Sequence, residues 1–400
     1  MRLRYSFRVY PNAPQRTALA KAFGCARVVW NDGLCLRQDA YKQGAERPKA
    51  AELSKRLVTE AKKTEERAWL SEVSAVVLQQ SLRDLETAYS NFFASKNGTR
   101  KGPKTGPPKF KKKTSRQAIR FTTNARFSVT ADGKLRLPKI GDVEVRWSRD
   151  LPSAPSSVTI IKDAAGRYFA SFVVEAEGKP LPELDLDDTE TGIDLGLSTY
   201  AVLRGRKISS PKFFRRQAEK LKRAQRKLSR ARKGSNNRRK AKLAVAKIHA
   251  RIADQRRDFI EQETTKITRE SQAVYLEDLN VKGMGTAKGK RGKSVHDQSL
   301  SMFARTLEAK CARYGRTFAK ASRWFPSTQL CSACGSIEGP KGLEGLKVRN
   351  WVCSCGAAHN RDENAELNLR REGRRIVAEG RPDTQNACGA HVRPGTPGSG

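Results

Sequence analysis

Three carboxylates and four thiols carry the chemistry open to this 400-residue chain. Asp194 lies in Thr191-Gly-Ile-Asp-Leu-Gly-Leu197, Glu277 in Ala273-Val-Tyr-Leu-Glu-Asp-Leu279, and Asp362 in His359-Asn-Arg-Asp-Glu-Asn-Ala365. Around them the chain has 80 Lys and Arg against 41 Asp and Glu, a formal net charge of +39. A protein of that charge is matched to nucleic acid, whose condensed counterions are released as cationic side chains replace them. Such a protein should thin out acids near its ligand. Carboxylates kept in strand-like, glycine-flanked settings therefore point to a divalent metal between protein and phosphate, the signature of a phosphodiester-cleaving centre.

Each acid alone has a plain structural reading. An Asp between strands is often a turn residue, Glu277 can simply end a strand, and Asp362 can cap a helix. The acids stand 83 and 85 residues apart, so only folding can bring them together. Two on strands and a third at a helix start give the arrangement of an RNase H-like nuclease. There two Mg²⁺ ions bridge the carboxylates, one activating water and the other stabilising the leaving 3′ oxygen.

Cys331-Ser-Ala-Cys334-Gly and Cys353-Ser-Cys355-Gly are separated by 18 residues, close to the spacing of a four-cysteine zinc ribbon. A closed four-thiolate site has no open position, so this Zn²⁺ is expected to be structural. The second knuckle is one residue short of C-x2-C, which leaves His359 as a spare ligand should Cys355 fall short. The other cysteines, Cys25, Cys35, Cys311 and Cys388, are scattered singly, unlike a disulfide framework. With no apolar run approaching 18 residues and no apolar core behind Met1, the chain reads as cytoplasmic and nucleoid-associated, with no membrane partner. Its oligomeric state is open.

The elements that position these groups follow from period. Tyr5, Phe7 and Val9 alternate as in a strand. Leu19, Phe23, Ala26, Trp30 and Leu34 recur as in a helix, begun by a capping box at Asn12 and Gln15, and Leu78, Leu82, Leu85, Tyr89 and Phe92 mark another. Alternation at Leu135/Leu137, Val143/Val145/Trp147 and Tyr168 to Val174 predicts antiparallel strands in a small β-barrel, which the first strand could join. The helical unit would then be an insertion. Between these lies an acid-free segment, Ser95 to Ala118, read as a mobile basic linker with Lys109, Lys111 and Lys112 as candidate nucleic-acid contacts.

The acidic stretch Leu181 to Glu190 reads as a domain boundary, and Gly192 to Leu203 as a hairpin. Residues 211 to 247 hold a single acid, Glu219, and form two basic helices packed as a hairpin about Gly234-Ser-Asn-Asn237. Lys222, Arg223, Arg226, Lys227, Arg238 and Arg239 are its candidate nucleic-acid contacts. A Gly/Lys-rich stretch (284–295), a helix from about Ser299 to Tyr314 and a strand toward Trp324 follow.

These segments, together with Leu276-Glu-Asp-Leu-Asn280, Trp324-Phe-Pro-Ser-Thr-Gln-Leu330 leading into the first knuckle, and His359 to Asn368, resemble the RuvC motifs and zinc ribbon of TnpB proteins. Those are transposases by older name, encoded by insertion sequences and similar to compact type V CRISPR effectors. The likeness extends to Tyr10-Pro-Asn12, Phe23-Gly-Cys-Ala-Arg27, Gly234 to Arg239 and Asn386-Ala-Cys-Gly389. It implies an RNA-guided DNA endonuclease that takes a transposon-derived guide RNA, recognises a short motif beside its double-stranded DNA target, and cuts at one RuvC site. Asp194, Glu277 and Asp362 match the family's catalytic, Mg²⁺-binding acids, and Cys331, Cys334, Cys353 and Cys355 its zinc ligands.

The fold expected is α+β and multidomain. A β-barrel (1–10 and 105–180) carries an inserted helical domain (11–104). An RNase H-like nuclease domain follows (181–324 and 359–375) with an inserted zinc ribbon (325–358), and then a disordered tail (376–400). The chain departs from the family pattern at Asn360, where Asp is commoner, and at Glu366, where Ala is. Neither is a catalytic position. The alternatives are a catalytically silent RNA-guided repressor, which needs the charge but not the acids, and a transposase or its accessory protein, which would join ends without RNA.

Overall fold

The alternating N-terminal residues form strand β1 (Arg2–Tyr10), with Tyr5, Phe7 and Val9 turned into the core. This computed structural model describes residues 1–285, 295, 297–345 and 347–380, and divides into two units, Met1–Ala176 and a second beginning at Glu177.

In the first unit β1 pairs antiparallel with β5 (Gly141–Arg146) and β7 (Tyr168–Glu175). With β2 (Gln117–Thr122), β3 (Ser128–Val129), β4 (Leu135–Leu137) and β6 (Ser157–Lys162) they form one sheet in the order β2-β6-β7-β1-β5-β4-β3. The outer strands β2 and β3 do not pair with each other among the described residues, so the expected barrel is by hydrogen bonding an open seven-stranded sheet. Two-residue β3 offers too short a ladder to close it.

Between β1 and β2 the chain is helical. Asn12 and Gln15 form the expected capping box at the start of α1 (Ala13–Lys42), each side chain accepting the other's backbone N–H at 3.0 Å. After α2 (Ala50–Ser54) come irregular helical turns to Glu72, then α3 (Ala75–Lys96), whose Leu78 and Leu82 share one core with the sheet. The basic linker is not wholly free. Trp30 Nε1 donates to the Lys109 carbonyl at 3.1 Å, and the Asn31 side chain satisfies both backbone groups of Lys111.

The second unit is built on a mixed sheet in the order β10-β9-β8-β11-β12: β8 (Glu190–Leu195), β9 (Thr199–Leu203), β10 (Arg206–Ser209), β11 (Ala273–Glu277) and β12 (Thr317–Ala321). The first three form an antiparallel meander, and β8, β11 and β12 run parallel. Parallel neighbours need crossovers. The first passes through α5 (Phe213–Arg230) and α6 (Asn236–Glu270), the second through α7 (Val281–Gly285) and α8 (Leu300–Tyr314). Helices α5 and α6 form the expected hairpin, seamed by Leu221, Ile248 and Ile252.

The presumed acidic linker belongs to this unit. A short helix α4 (Leu186–Thr189) leads into β8, whose first residue is Glu190, and the backbone N–H groups of Lys179 and Leu181 bond to the carbonyls of Arg313 and Tyr314. The boundary therefore lies at Ala176/Glu177, ahead of the acidic run.

Beyond β12 come α9 (Gly342–Gly345), the small ribbon β13 (Asn350–Val352) and β14 (Ala358–Asn360), and α10 (Arg361–Ala378). Helix α10 continues through 376–378, residues expected in a disordered tail, because Ile376 packs with Ala273, Tyr275 and Ala319. The tail beyond Gly380 with the Asn386 motif, and most of the Gly/Lys-rich stretch, lie outside the described residues.

Helix α10 lies very close to the sheet. A Cβ on Gly192 would stand 2.2 Å from the Glu366 carbonyl oxygen, and one on Gly373 2.1 Å from the Tyr275 ring. Gly192→Ala and Gly373→Ala should each destabilise the second unit by about 1–3 kcal/mol through this overpacking. Calorimetry should show a lowered unfolding midpoint, with Lys222→Ala on the exposed hairpin unaffected. An unchanged midpoint in both glycine variants would contradict the docking described.

Candidate metal centres

Alternation decides which side of the sheet the acids occupy. Ile193 and Leu195 on β8, and Val274 and Leu276 on β11, enter the core shared with α6 and α8. Glu190, Gly192 and Asp194, and Tyr275 and Glu277, consequently face the other side, where α10 lies. The parallel register sets Leu276 against Ile193, so one residue further on Glu277 comes beside Asp194. Asp362 sits in the first turn of α10, whose N-cap Asn360 accepts the Glu363 N–H. Three separate stretches of sequence thus deliver their carboxylates to one end of one sheet face.

The electrostatics register this convergence. Removal from water, then the nearby charge of Asp362, pushes the Asp194 carboxyl up to about 6, against the opposing pull of Arg361 and Arg349. Glu277 is pushed up to about 7 by burial first and then by Asp194 and Asp278. Mutually repelling carboxyls of this kind fit a divalent cation, which would neutralise them together. They do not draw into a tight donor set by themselves: among the described residues only the four cysteines do that. Asp362 instead takes two hydrogen bonds from Arg349 Nη1, at 2.9 and 2.8 Å, while Arg349 Nη2 donates to Ser198 Oγ at 3.0 Å.

A polar clamp on buried Glu190 joins the same three elements. Glu190, only 1% exposed, accepts the Tyr275 hydroxyl at 2.7 Å and pairs with Arg374, linking β8, β11 and α10. Glu366, where the family pattern more often has Ala, is also buried and accepts the Gly192 N–H at 3.0 Å. Sequence reasoning missed this clamp, and it missed Arg349 as the partner of Asp362. The available signal was the period-two run Glu190, Gly192, Asp194, which marks Glu190 as a strand residue.

The four cysteines converge as their spacing predicts. All four sulfurs lie within 4.8 Å of one another, with Cys331–Cys355 at 3.8 Å and Cys334–Cys353 at 3.6 Å. Tetrahedral zinc with Zn–S bonds of about 2.3 Å requires sulfurs about 3.8 Å apart, so the donor set fits that ion. The short second knuckle closes because Gly356 takes a left-handed turn, φ +86°, as Gly335 does at +83° in the first. His359 is not needed as a ligand. Its Nε2 lies 3.0 Å from Cys331 Sγ, in reach of a hydrogen bond that would orient the thiolate.

Of the basic candidates, Lys109, Lys112, Lys222, Arg223, Arg226, Lys227 and Arg239 are exposed. Arg239 also pairs with the Asn236 side chain, and the other two candidates, both half-buried, have structural partners. Lys111 Nζ lies 3.6 Å from the Trp30 ring centroid, and Arg238 Nη1 donates at 2.9 Å to the carbonyls of Leu228 and Ala231, closing the C-terminal end of α5.

Family models match residues 171–288 (probable transposase), 1–46 (helix-turn-helix domain) and 301–369 (Cas12f1-like, TNB domain). Residues 1–46 in fact hold β1 and the single long helix α1 rather than two helices about a turn. A solved structure entitled "Cryo-EM structure of the Cas12f1-sgRNA-target DNA complex" shares the fold at a TM-score of 0.52 with 15% identity, over 92% of this chain and 98% of that one. The fold class is thus that of the Cas12f1-type proteins, mixed α/β with a cysteine cluster. A Streptomyces pristinaespiralis protein named "Putative RNA-guided DNA endonuclease" is 40% identical over 98% of this chain and 92% of its own. InsQ of Escherichia coli K12, named in the same terms, is 28% identical over 98% and 95%. The chain belongs to the TnpB family. No helix of the described residues is long and apolar enough to cross a membrane.

Two outcomes follow for the metal centres. Asp194 and Glu277 hold their protons more tightly folded than unfolded, where ordinary carboxyl values are about 3.9 and 4.3. Their contribution to stability is therefore fully present below about pH 4 and lost as pH rises through about 6 and 7. Without divalent metal, Asp194→Asn and Glu277→Gln should raise the unfolding midpoint at pH 8 and leave it unchanged at pH 4. Identical pH dependence in variant and parent would contradict the site. Elemental analysis should also find one zinc per chain, lost in Cys353→Ser; full zinc retention there would reject the four-thiolate assignment.

Proposed function

We propose that this chain is an RNA-guided DNA endonuclease in which Asp194, Glu277 and Asp362 form the cutting centre and the four cysteines hold a structural Zn²⁺. The observation that carries this reading is the convergence of three carboxylates, from two adjacent parallel strands and the helix covering them, with the proton affinity of Asp194 and Glu277 raised by burial first and then by neighbouring carboxylates. Mg²⁺, in a two-ion arrangement, would supply an activated water and stabilise the leaving oxygen. Asp194 and Glu277 must shed their protons to bind it, and their values near 6 and 7 leave them largely able to do so at physiological pH. Arg349 keeps Asp362 oriented and neutralised until a stronger cation competes.

The partners are a guide RNA and double-stranded target DNA, in keeping with the family and with a net charge of +39. Base pairing would choose the target while the protein reads the flanking motif. Exposed Lys222, Arg223, Arg226, Lys227 and Arg239 on the helical hairpin, with Lys109 and Lys112 in the linker, would track backbone phosphates. In this division residues 1–10 and 105–176 form the sheet domain, 11–104 the helical insertion, 177–324 with 359–378 the nuclease domain, and 325–358 the zinc ribbon. The working site is target DNA in the cell interior.

Protein purified with its co-purifying RNA should nick or linearise a plasmid bearing the guide's target when Mg²⁺ is present. Asp194→Ala, Glu277→Ala and Asp362→Ala should each abolish this while retaining the RNA. Persistent cleavage in Asp194→Ala would refute the centre, and cleavage or end joining without RNA would favour the transposase reading.

A further inference from the structure

We propose that Trp324 is a stacking platform for an unpaired base of the DNA strand delivered to the acids, an inference that rests on the nuclease reading above. Its side chain is 85% exposed, while the other four tryptophans are buried, half-buried or, for Trp69, only 37% exposed. A full indole left in water forgoes the burial that aromatic side chains ordinarily find, and in proteins that hold single strands such side chains are the platforms on which bases stack.

Its place is beside the cutting centre. Ala321, the last residue of β12, is the register partner of Glu277, and the Asp278 N–H donates to the Ala321 carbonyl at 3.0 Å. Arg323 closes the junction by pairing with Asp278 at 2.6 Å. Trp324 follows directly, three residues past Ala321, so its Cα lies within about 11 Å of that of Ala321 on the strand paired with Glu277.

The ring is carried on a fixed turn. The Trp324 backbone N–H reaches Ser322 Oγ at 3.3 Å, the Phe325 N–H bonds to the Ser322 carbonyl, and the Ser327 N–H to that of Phe325. Asn368 of α10 then holds the Ser327 carbonyl at 2.9 Å. The helix that bears Asp362 thereby also fixes the turn that displays Trp324. A rigid exposed aromatic beside a phosphodiester-cutting centre matches how single strands are held: every base offers a π-face, whereas bases inside a duplex are already stacked and unavailable. The partner is therefore an unpaired strand, read without sequence preference.

The test uses the ribonucleoprotein with a single-stranded oligodeoxynucleotide, in parent, Trp324→Ala and Trp324→Phe forms. Trp324→Ala should raise KM about 5- to 100-fold with kcat changed less than about twofold, and Trp324→Phe should recover most of the loss. Scanning one abasic residue along the oligonucleotide should find a position that weakens the parent to the same extent and leaves Trp324→Ala no weaker. Tryptophan fluorescence of the Asp194→Ala complex should be quenched by the same oligonucleotide, and the quench should vanish when Trp324→Ala is added. Unchanged KM, or an equal loss on intact and abasic DNA, overturns the proposal. If the parent does not cleave at all, the nuclease reading fails, and the quench then decides the stacking by itself: present and Trp324-dependent it stands, absent it falls.

Discussion

Helix α10 can reach the strands carrying Asp194 and Glu277 only because Gly192 and Gly373 present no side chain at the crossing. Everything at the candidate centre depends on that close approach. Asp362 occupies the first turn of the helix, Glu366 and Arg374 bind polar groups of the sheet, and Asn364 and Asn368 on another face hold Leu330 and Ser332 beside the first knuckle. One helix thus fixes the third acid, the zinc ribbon and the turn of Trp324 together. The ribbon is inserted between β12 and α10, and it returns the chain to the sheet at the point where Asp362 is needed.

Charge is arranged by depth. The cationic excess lies on exposed hairpin and linker side chains, where it can be matched by phosphate, whereas the acids sit where water is scarce. Burying carboxyls is costly unless each has a partner. Glu190 and Glu366 have theirs in Tyr275, Arg374 and a backbone N–H, and are satisfied by protein alone. Glu277 faces further carboxyls instead, and Asp194 faces Asp362 with only the more modest pull of Arg361 and Arg349 against it. That contrast between the sheet face and the helix covering it separates acids bonded within the fold from the acids proposed here to bind a metal.

Much of this was legible in the sequence. The period-two and period-four patterns located β1, α1, α3, β7, the hairpin α5–α6 and α8, because one-sided burial dictates period. The knuckle spacing located the sulfur cluster, since thiol geometry is local. Less local features were not legible. The sheet beyond β5 ends in strands too short to close a barrel, a fact set by β3 and β4 and not by the alternation that announces a strand. Glu190 was hidden in an acidic run because its burial depends on Arg374, 184 residues away. Arg238 and Lys111 were indistinguishable from their exposed neighbours until a helix end and an indole ring claimed them.

The central claim is that Asp194, Glu277 and Asp362 form one divalent-metal site. Anomalous diffraction from crystals of the ribonucleoprotein bound to target DNA and loaded with Mn²⁺ tests it most directly. The account predicts anomalous density between these three carboxylates, with Asp362 turned from Arg349 to the metal, and a separate zinc peak among the four sulfurs. Manganese bound elsewhere in a cleaving complex, with the Arg349–Asp362 pair intact, would contradict it.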